Sequence, residues 1–503
     1  MLDFLKKYHK WVSIILAFFI ILFSVSGIIL NHRSAFSGID VNRNYLPSNY
    51  SVVNWNNAAV KSTLKINKDS IFIYGNMGVW KTDSSFSEFT DFNQGFPKGI
   101  DNRKVCVLFY SSTKEIFAGT FFGLFKYDYS NKKFNKIDIP THEQRVVDII
   151  EKDNQLYFLT RSHLLISNQD TKEFEIHELP KPENYDNKIG LFKTLWVIHS
   201  GEIYGEIGKI LVDIVGLIFI FLTVTGVILF INRKRIIKKA INRKPVLKIK
   251  SVNKWNLKWH NKIGWITAIF LIITTLTGMF LRPPLLIPIA YAKVGKIPGT
   301  ELAQTNPWFD KLRRIKYDKE EKRFIISTLD GFYYSDDNFK SDLKLFTNQP
   351  PASIMGVTVF KKTAKNTYLI GSFEGLFEWN TKTGKVWDYI EKKVWIKPKK
   401  KSRPIGKYLV TAYTDDYKGE EFIFEYNRGA ININKGVEFT KQPEKIAQEY
   451  RLSLWNLGLE IHTGRIYEFL FGIFYILVVP LSGFGILFIL ISGFIVWWQI
   501  HRK

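Results

Sequence analysis

The chain has 503 residues, of which 46% are hydrophobic and 16% aromatic, and it carries a formal net charge of +25. This aromatic content excludes disordered, collagen-like and low-complexity classes of protein. The single cysteine, Cys106, excludes an internal disulfide framework, a thiolate metal cluster and a covalently attached c-type haem.

The positive charge is concentrated beside apolar runs. Twelve Lys or Arg residues and no Asp or Glu lie between Asn232 and Lys262, and the first ten residues and the last two each add a net +2. Cytoplasmic flanks of membrane spans carry such an excess of Lys and Arg. The charge therefore indicates membrane topology, and we expect a lipid bilayer as partner and no nucleic acid.

Four apolar runs reach the roughly 20 residues that a membrane-spanning helix needs: Trp11–Leu30, Ile210–Ile231, Ile263–Leu281 and Tyr467–Ile500. The first run lacks a small-residue cleavage site and ends in "GIILNHR", which favours an anchor over a signal peptide. The last contains Pro480, Gly483 and Gly485, and we expect a single kinked helix there.

Placing the basic segments in the cytoplasm predicts the remaining topology. We expect both termini on the cytoplasmic side and the two large segments on the opposite side of the membrane; the resemblance described below implies a bacterial inner membrane, with these segments in the periplasm. The cytoplasmic loop is too short for a nucleotide-binding domain, so any redox function takes electrons from a membrane quinol or a soluble cytoplasmic reductase. The predicted organisation is a tail and first span at 1–32, an exterior β region at 33–198, a second span at 199–235, a basic cytoplasmic loop at 236–259, a third span at 260–282, a second exterior β region at 283–458, and a fourth span with the C-terminal tail at 459–503.

The two halves of the chain repeat each other. The first span, "YHKWVSIILAFFIILFSVSG", and the third, "WHNKIGWITAIFLIITTLTG", each place a His eighteen residues before a Gly. Further matches are "GTFFGLF" with "GSFEGLF" and "IHSGEIY" with "IHTGRIY", in the same order and at similar offsets. Such landmarks predict a two-fold internal duplication.

The exterior segments contain recurring strand pairs, among them "IFIYGNMGVWKT", "IFAGTFFGLFKYD" and "YLIGSFEGLFEWN". Each alternates aromatic or β-branched residues with polar ones and turns through Gly, Asn or Asp. The predicted fold class is a four-span membrane helical bundle with an exterior all-β domain, which we interpret as a six-bladed propeller with three blades from each half. Two smaller β-domains are the alternative.

Six of the nine histidines lie at or near span ends. His9 and His260 begin the first and third spans, and His199 and His462 precede the second and fourth. His142, His163 and His177 fall in the predicted blades. For one such histidine an interfacial polar role is the simplest reading, but retention of both pairs in the duplication favours a shared function.

Helical rise places glycines at matching depths. Gly27 and Gly278 lie about 27 Å above His9 and His260, since a helix rises 1.5 Å per residue. Gly226 and Gly493 lie near the cytoplasmic face because their spans run the other way. A pair of imidazoles beside glycine positions, where the helix backbone carries no side chain, suits a flat porphyrin with two axial ligands. Packing of small residues between helices explains the glycines equally well.

The histidines expected near the outer face of the membrane are placed less regularly than His9 and His260. On straight helices His199 and His462 would stand roughly 50 Å above the inner border, beyond the bilayer, unless the chain bends there. We expect these two histidines to pair on the outer side. His32 is a reserve outer ligand and His501 a reserve inner one.

These span patterns resemble the PepSY-associated transmembrane family: "YHKWVSIILAFFIILFSVSGIILNH" and "WHNKIGWITAIFLIITTLTG" match its first pattern, and the His-Ser/Thr-Gly runs leading to Gly-containing spans match its second. The resemblance covers about a third of the chain. Relatives include bacterial inner-membrane reductases that carry b-type haems and reduce ferric iron or iron–siderophore complexes on the periplasmic side. It implies His9, His199, His260 and His462 as haem ligands. Propeller-like blades occupy the place where PepSY domains would be expected.

The leading hypothesis is a transmembrane protein with two b-type haems that acts as a ferric or ferrisiderophore reductase. A membrane-anchored propeller that binds a partner or acts as a sensor, without redox activity, is the alternative. A transporter is disfavoured because no charged residue lies deep in a span; Asp213 is near the outer border of the second.

Overall fold

A computed structural model describes residues 1–353, 355–397 and 406–501. The chain forms two compact units: a helical unit made of Met1–Phe36, Asn187–Gln304 and Leu454–Lys503, and a β unit made of Ser37–Asp186 and Thr305–Ser453.

The helical unit contains the four apolar runs. In chain order the α-helices of the protein are α1 (Leu2–Asn31), α2 (Arg33–Phe36), α3 (Leu191–Ser200), α4 (Gly205–Ile241), α5 (Leu247–Phe280), α6 (Glu444–Glu449), α7 (Leu454–His462), α8 (Glu468–Phe471) and α9 (Val478–His501). Four stretches are long and apolar enough to cross a membrane: Leu2–Asn31, Glu202–Ile241, Leu247–Phe280 and Arg465–His501. The prediction of four spans is thereby confirmed.

The spans pack as a four-membered ring. Helix α1 contacts α4 and α9, and α5 contacts the same two helices. Helices α1 and α5, which the predicted duplication pairs, therefore lie on one diagonal of the bundle, and α4 and α9 lie on the other. Residues on the inner faces of α1 and α5 point toward each other across this bundle.

The fourth span is not one continuous helix. A 3₁₀ turn (Arg465–Tyr467), the short helix α8 and a second 3₁₀ segment (Gly472–Leu477) precede α9. Gly472 adopts a φ of 51° between them, a conformation that a residue with a side chain adopts only with strain. The expectation of one spanning stretch is confirmed, but its interruption lies at Gly472, within the eleven residues 467–477 that precede α9, and not at Pro480.

Helices α3 and α7 end in sharp reversals. Gly201 follows α3 with a φ of 82°, and Gly464 follows α7 with a φ of 77°. A side chain on Gly201 would also collide with the backbone of Gly208, since its Cβ would lie 2.1 Å from that carbonyl oxygen. The straight-helix extrapolation for His199 and His462 therefore does not apply: the chain bends, and these short helices pack back against α5 and α1.

The β-strands are short and antiparallel, in keeping with alternating sequences between tight turns. They are β1 (Asp40–Val41), β2 (Val60–Asn67), β3 (Ser70–Gly75), β4 (Gly78–Thr82), β5 (Thr90–Asp91), β6 (Val105–Tyr110), β7 (Ile116–Thr120), β8 (Leu124–Asp128), β9 (Lys133–Ile137), β10 (Val146–Lys152), β11 (Gln155–Thr160), β12 (Leu164–Asn168), β13 (Glu175–His177), β14 (Lys188–Gly190), β15 (Lys293–Gly295), β16 (Leu312–Asp318), β17 (Arg323–Thr328), β18 (Phe332–Ser335), β19 (Lys344–Leu345), β20 (Val359–Ala364), β21 (Thr367–Ser372), β22 (Gly375–Asn380), β23 (Val386–Asp388), β24 (Lys393–Val394), β25 (Val410–Thr414), β26 (Phe422–Glu425), β27 (Gly429–Asn432) and β28 (Leu452–Ser453).

Six of the sheets follow chain order: sheet 1 (β2–β5), sheet 2 (β6–β9), sheet 3 (β10–β13), sheet 4 (β16–β19), sheet 5 (β20–β24) and sheet 6 (β25–β27). Two two-stranded pairs, β1 with β28 and β14 with β15, stand apart from them. Sheets 1 to 3 come from the first half of the chain and sheets 4 to 6 from the second. The predicted all-β domain is confirmed.

Both faces of these sheets are buried. In β3, Ile71 and Ile73 pack with residues of sheet 6, whereas Phe72 and Tyr74 pack with residues of sheet 2. The uninterrupted "IFIY" run is explained by this two-sided burial, because successive side chains of a strand point to opposite faces. Four further hydrophobic clusters join sheets 2 and 3, 3 and 4, 4 and 5, and 5 and 6.

A buried carboxylate reinforces the boundary between sheets 4 and 5. Asp318, at the end of β16, accepts hydrogen bonds from the Nζ of Lys362 at 2.8 Å and from the Tyr368 hydroxyl. Burial alone raises the pKa of Asp318, but these hydrogen bonds outweigh burial and hold the pKa below its usual value.

Candidate functional site

The inner layer contains His9 on α1 and His260 on α5. The Nδ1 of His9 lies 3.0 Å from the carbonyl oxygen of Ile489 and 3.1 Å from the Oγ of Ser492, both on α9. The Nδ1 of His260 lies 2.8 Å from the Oγ1 of Thr225 on α4. The two imidazoles thus project from α1 and α5, which lie on one diagonal of the bundle. Hydrogen bonds hold each ring against a helix of the other diagonal, α9 for His9 and α4 for His260.

The outer layer repeats this arrangement with His199 on α3 and His462 on α7. The Nδ1 of His199 lies 2.9 Å from the Thr274 carbonyl oxygen and 3.4 Å from the Thr277 Oγ1, both on α5. The Nδ1 of His462 lies 3.0 Å from both the Phe23 carbonyl oxygen and the Ser26 Oγ on α1.

The four hydroxyls determine which nitrogen carries the proton. Each also donates to a carbonyl of its own helix, as Ser26 does to Leu22 at 2.6 Å and Thr225 does to Phe221 at 2.7 Å. With its proton used there, the hydroxyl oxygen can only accept from the imidazole, and carbonyl oxygens always accept. All four histidines therefore carry hydrogen on Nδ1, which leaves the Nε2 lone pair available to a metal.

Each hydroxyl residue immediately precedes a glycine that faces the same ring. A Cβ added to Gly278 would lie 2.6 Å from the Cε1 of His199, and one on Gly493 would lie 3.0 Å from the Cε1 of His9. The corresponding distances are 3.2 Å for Gly27 with His462 and 3.6 Å for Gly226 with His260. The glycines thus allow the imidazoles to approach the helix backbones, most tightly at Gly278.

The two outer imidazoles lie close to each other. The ring centroids of His199 and His462 are 5.9 Å apart, with 49° between their planes. A metal–imidazole bond is about 2 Å and a ring centre lies about 1 Å beyond its nitrogen, so two imidazoles on opposite sides of one metal have centres about 6 Å apart. The outer pair fits this spacing, so His199 and His462 could together hold the iron of a haem, which would supply one-electron chemistry.

A family model described as PepSY-associated TM region matches residues 6–499. The chain belongs to this family. No curated protein matches it. The similar solved structures include the extracellular domain of BT4673, a putative hybrid two component system from B. thetaiotaomicron. The two chains are 10% identical, the match covers 78% of this chain and 39% of that one, and the TM-score is 0.35.

Two others are the computationally designed protein Ika8, with 9% identity, 76% and 97% of the two chains covered and a TM-score of 0.32, and PorZ of the type-IX secretion system of Porphyromonas gingivalis, with 10% identity, 74% and 38% covered and a TM-score of 0.31. These scores carry no argument about fold or function. This PepSY-associated TM chain spans 39% of the BT4673 domain's length.

The two reserve histidines of this PepSY-associated TM protein lie elsewhere. His32 bonds through Nε2 to the carboxylate of Asp213, which also accepts from the side-chain amide of Asn31 at 3.0 Å. His501 is exposed and stacks on Trp497, with ring centroids 5.2 Å apart. His32 is thus engaged in a polar contact between α1 and α4, and His501 lies outside the inner layer.

Sequence reasoning missed the four hydroxyl residues and one arginine. The hydroxyl positions are visible as the Ser-Gly or Thr-Gly ends of "SVSG", "TVTG", "TLTG" and "LISG". Arg282 follows α5 on the side of the outer layer, within electrostatic range of His462 and Glu460. Its Nε is buried and has no hydrogen-bond partner within the described part of the chain. A buried cation beside an imidazole pair could pair with a ligand carboxylate.

Proposed function

We propose that this protein is a transmembrane b-type cytochrome of the bacterial inner membrane that binds two haems and reduces ferric iron or an iron–siderophore complex in the periplasm. His9 and His260 hold the inner haem, and His199 and His462 hold the outer one. The electron donor is a membrane quinol or a soluble cytoplasmic reductase.

One observation carries this proposal: four imidazoles share one environment. In each, Nδ1 donates to the hydroxyl of a Ser-Gly or Thr-Gly step, and in the outer pair the rings are 5.9 Å apart. Histidines that ligate metals commonly donate their other N–H to a carbonyl or carboxylate, which fixes ring orientation and raises basicity. Four histidines that served only as interfacial polar residues would not need the same kind of hydrogen-bond partner, and two of them would not need to lie 5.9 Å apart.

The chain's own residues bind the two haems, orient the imidazoles and keep the two layers apart. The hydroxyls and carbonyls hold the tautomer, and the glycines admit the rings to the helix backbones. Arg282 would supply a positive charge to the carboxylates of a bound haem. Bound haem would supply one-electron exchange through iron. His9 and Gly27, one in each layer, are about 27 Å apart along α1, so the layers lie toward opposite faces of a hydrocarbon core about 30 Å thick.

The overall reaction transfers one electron from the donor to iron(III) and gives iron(II). Iron(II) binds hard oxygen ligands more weakly, so the chelate releases it. No bond within the chelating ligand has to break, and the reaction therefore requires no nucleophile and no general base.

The exterior domain is proposed as a six-bladed propeller with each of the six sheets as one blade. The six interfacial clusters support this proposal, because a cluster joins every consecutive pair of sheets and another joins sheet 6 to sheet 1 through Trp55 and Phe439. A ring of sheets leaves no terminal face for solvent. The Lys- and Arg-rich segments beside the spans favour the cytoplasm, which supports a periplasmic location for this domain.

The deciding experiment is a visible absorption spectrum of the purified protein from haem-replete cells, before and after dithionite. A low-spin bis-imidazole spectrum is expected, with half the haem lost in His260→Ala and in His462→Ala. His142→Ala, an exposed histidine of the β unit, is the matched control and should keep both haems. A folded but colourless protein would refute the proposal and favour the membrane-anchored binding or sensory module.

A further inference from the structure

In five of the six sheets, the first strand carries the same irregularity in its pairing with the second. In β2, β6, β10, β16 and β25 the register shifts by one residue at the start of the strand. The extra residues are Lys61, Cys106, Val147, Arg313 and Thr411. A β-bulge redirects side chains and occurs often beside functional sites. A single bulge has many explanations. Because the same bulge occurs at the start of the first strand in five of the six sheets, the five extra residues occupy equivalent positions in their sheets.

Two of these extra residues meet beside an aromatic ring. The Nζ of Lys61 lies 3.6 Å from the Sγ of Cys106 and 5.2 Å from the ring centroid of Phe121. The guanidinium of Arg145, which directly precedes β10, lies 3.8 Å from the same centroid, and the Nζ of Lys104 lies 5.9 Å away. Three cations therefore lie near Phe121: one from β2 and two from the residues directly before β6 and β10.

The charges of this group are unevenly compensated. Lys104 is neutralised by Asp101, whose Oδ1 lies 2.7 Å from its Nζ. Lys61 and Arg313 have no carboxylate within 4.0 Å among residues 1–353, 355–397 and 406–501. An uncompensated cation held inside a protein costs free energy unless an anion can reach it.

The electrostatics agree with this count. Burial lowers the pKa of Lys61, and repulsion from Arg145 adds to the effect, against the opposing influence of Cys106. Burial also lowers the pKa of Arg313 to about 9, with further repulsion from Arg161 and Arg145 that the carboxylates of Asp310 and Glu143 offset only in part. One nitrogen of this guanidinium, Nη1, donates to the carbonyl oxygens of Asp310 and Leu312. Arg145 thus repels both Lys61 and Arg313, whose bulges occupy equivalent positions in sheets 1 and 4. A bound anion would relieve this repulsion.

We propose that Lys61, Arg145 and Arg313 form a binding site for a small multivalent oxyanion, with Phe121 as its apolar wall. Guanidinium groups present paired N–H donors that match carboxylate oxygens, and Lys61 contributes a compact charge. Carboxylate chelates of iron(III) belong to this ligand class. The assignment of an iron chelate rests on the proposed function; the binding of the anion itself does not.

The test is calorimetric titration of the full-length protein in lipid nanodiscs with citrate, and with redox-inert gallium(III) citrate. Saturable binding is expected that weakens as salt is raised. Lys61→Met and Arg313→Gln should each weaken binding at least tenfold. Lys382→Gln removes an exposed lysine from the turn between β22 and β23 and should bind as wild type. Absence of binding, or unchanged affinity in both site variants, would overturn the proposal.

A thermal measurement shows whether each variant folds. Citrate at a hundred times the wild-type dissociation constant stabilises a folded protein by RT ln(1 + [L]/Kd). It should raise the melting temperature of the wild type and of Lys382→Gln at least about twice as much as that of Lys61→Met, whose affinity is at least tenfold lower. Equal upward shifts in all three would contradict the site. A colourless protein that still binds citrate would reject haem and retain the anion site, whereas a coloured protein that binds no citrate would do the reverse.

Discussion

Replacing the four glycines by alanine provides a graded test of the histidine layers. A Cβ on Gly278 would lie 2.6 Å from the Cε1 of His199, whereas carbon atoms pack best at about 3.5–4.0 Å, so the ring must retreat by about 1 Å. Metal–ligand distances tolerate about 0.2 Å. We expect Gly278→Ala to lose the outer haem and to cost about 1–3 kcal/mol of stability from overpacking.

Gly226→Ala is the matched control, because its Cβ would lie 3.6 Å from the Cε1 of His260, an ordinary contact. Gly493→Ala and Gly27→Ala, at 3.0 and 3.2 Å, should give intermediate losses. The assay is the ratio of haem to protein together with a redox titration. If Gly278→Ala keeps both haems at wild-type potentials, or if Gly226→Ala loses haem equally, the proposed role of these glycines is wrong.

Three further predictions follow from single contacts. Thr225→Val removes a hydrogen bond to His260 worth about 1 kcal/mol, so the inner haem should keep its occupancy while its midpoint potential rises by about 40 mV; Thr223→Val, whose hydroxyl bonds its own helix, should leave the potential unchanged. Arg282→Gln removes a positive charge, so redox titration should show the outer midpoint potential lowered by about 70 mV, taking about 10 Å and an effective dielectric constant of about 20; an unchanged potential would place Arg282 away from the haem. Asp318→Asn should cost about 3 kcal/mol at pH 7 in denaturant unfolding. Because the folded pKa of Asp318 is depressed, its stabilisation is present above the unfolded pKa near 4 and is lost as pH falls through the folded value, so wild type and variant should converge in acid; a constant difference would contradict this reasoning.

The sequence was most informative where one physical constraint dominates. Bilayer crossing requires a long apolar run, so the four spans were located from composition alone. The helices themselves are longer: α5 begins at Leu247, whereas its apolar run begins at Ile263, because a basic amphipathic segment can continue a helix beyond the bilayer. The break at Gly472 was missed because glycine and proline also occur within continuous membrane helices.

The strand pairs could be predicted because alternation and turn residues are local signals. The predicted pair "YLIGSFEGLFEWN" corresponds to β21 and β22, with Tyr368 opposite Trp379. The bulges at Lys61 and Arg313 left no such signal, since a register shift depends on the partner strand. Closure of the sheets into a propeller remains a prediction.

For the site, the duplicated histidines and glycines could be singled out, but their partners could not. His9 contacts Ser492 and His462 contacts Ser26, more than four hundred residues apart in sequence. Contacts at such separations depend on how the helices assemble, and no periodicity within one helix encodes them. The haem assignment stays a prediction until a spectrum is recorded.

The imidazole contacts have a consequence for the origin of the chain. His9 and His199, from the first half, rest on Gly493 and Gly278 of the second; the histidines of the second half rest on glycines of the first. Neither repeat can complete even one layer by itself. If the two halves arose by duplication, a half-length ancestor could have built these pockets only as a homodimer, and fusion of two gene copies would have made that association permanent.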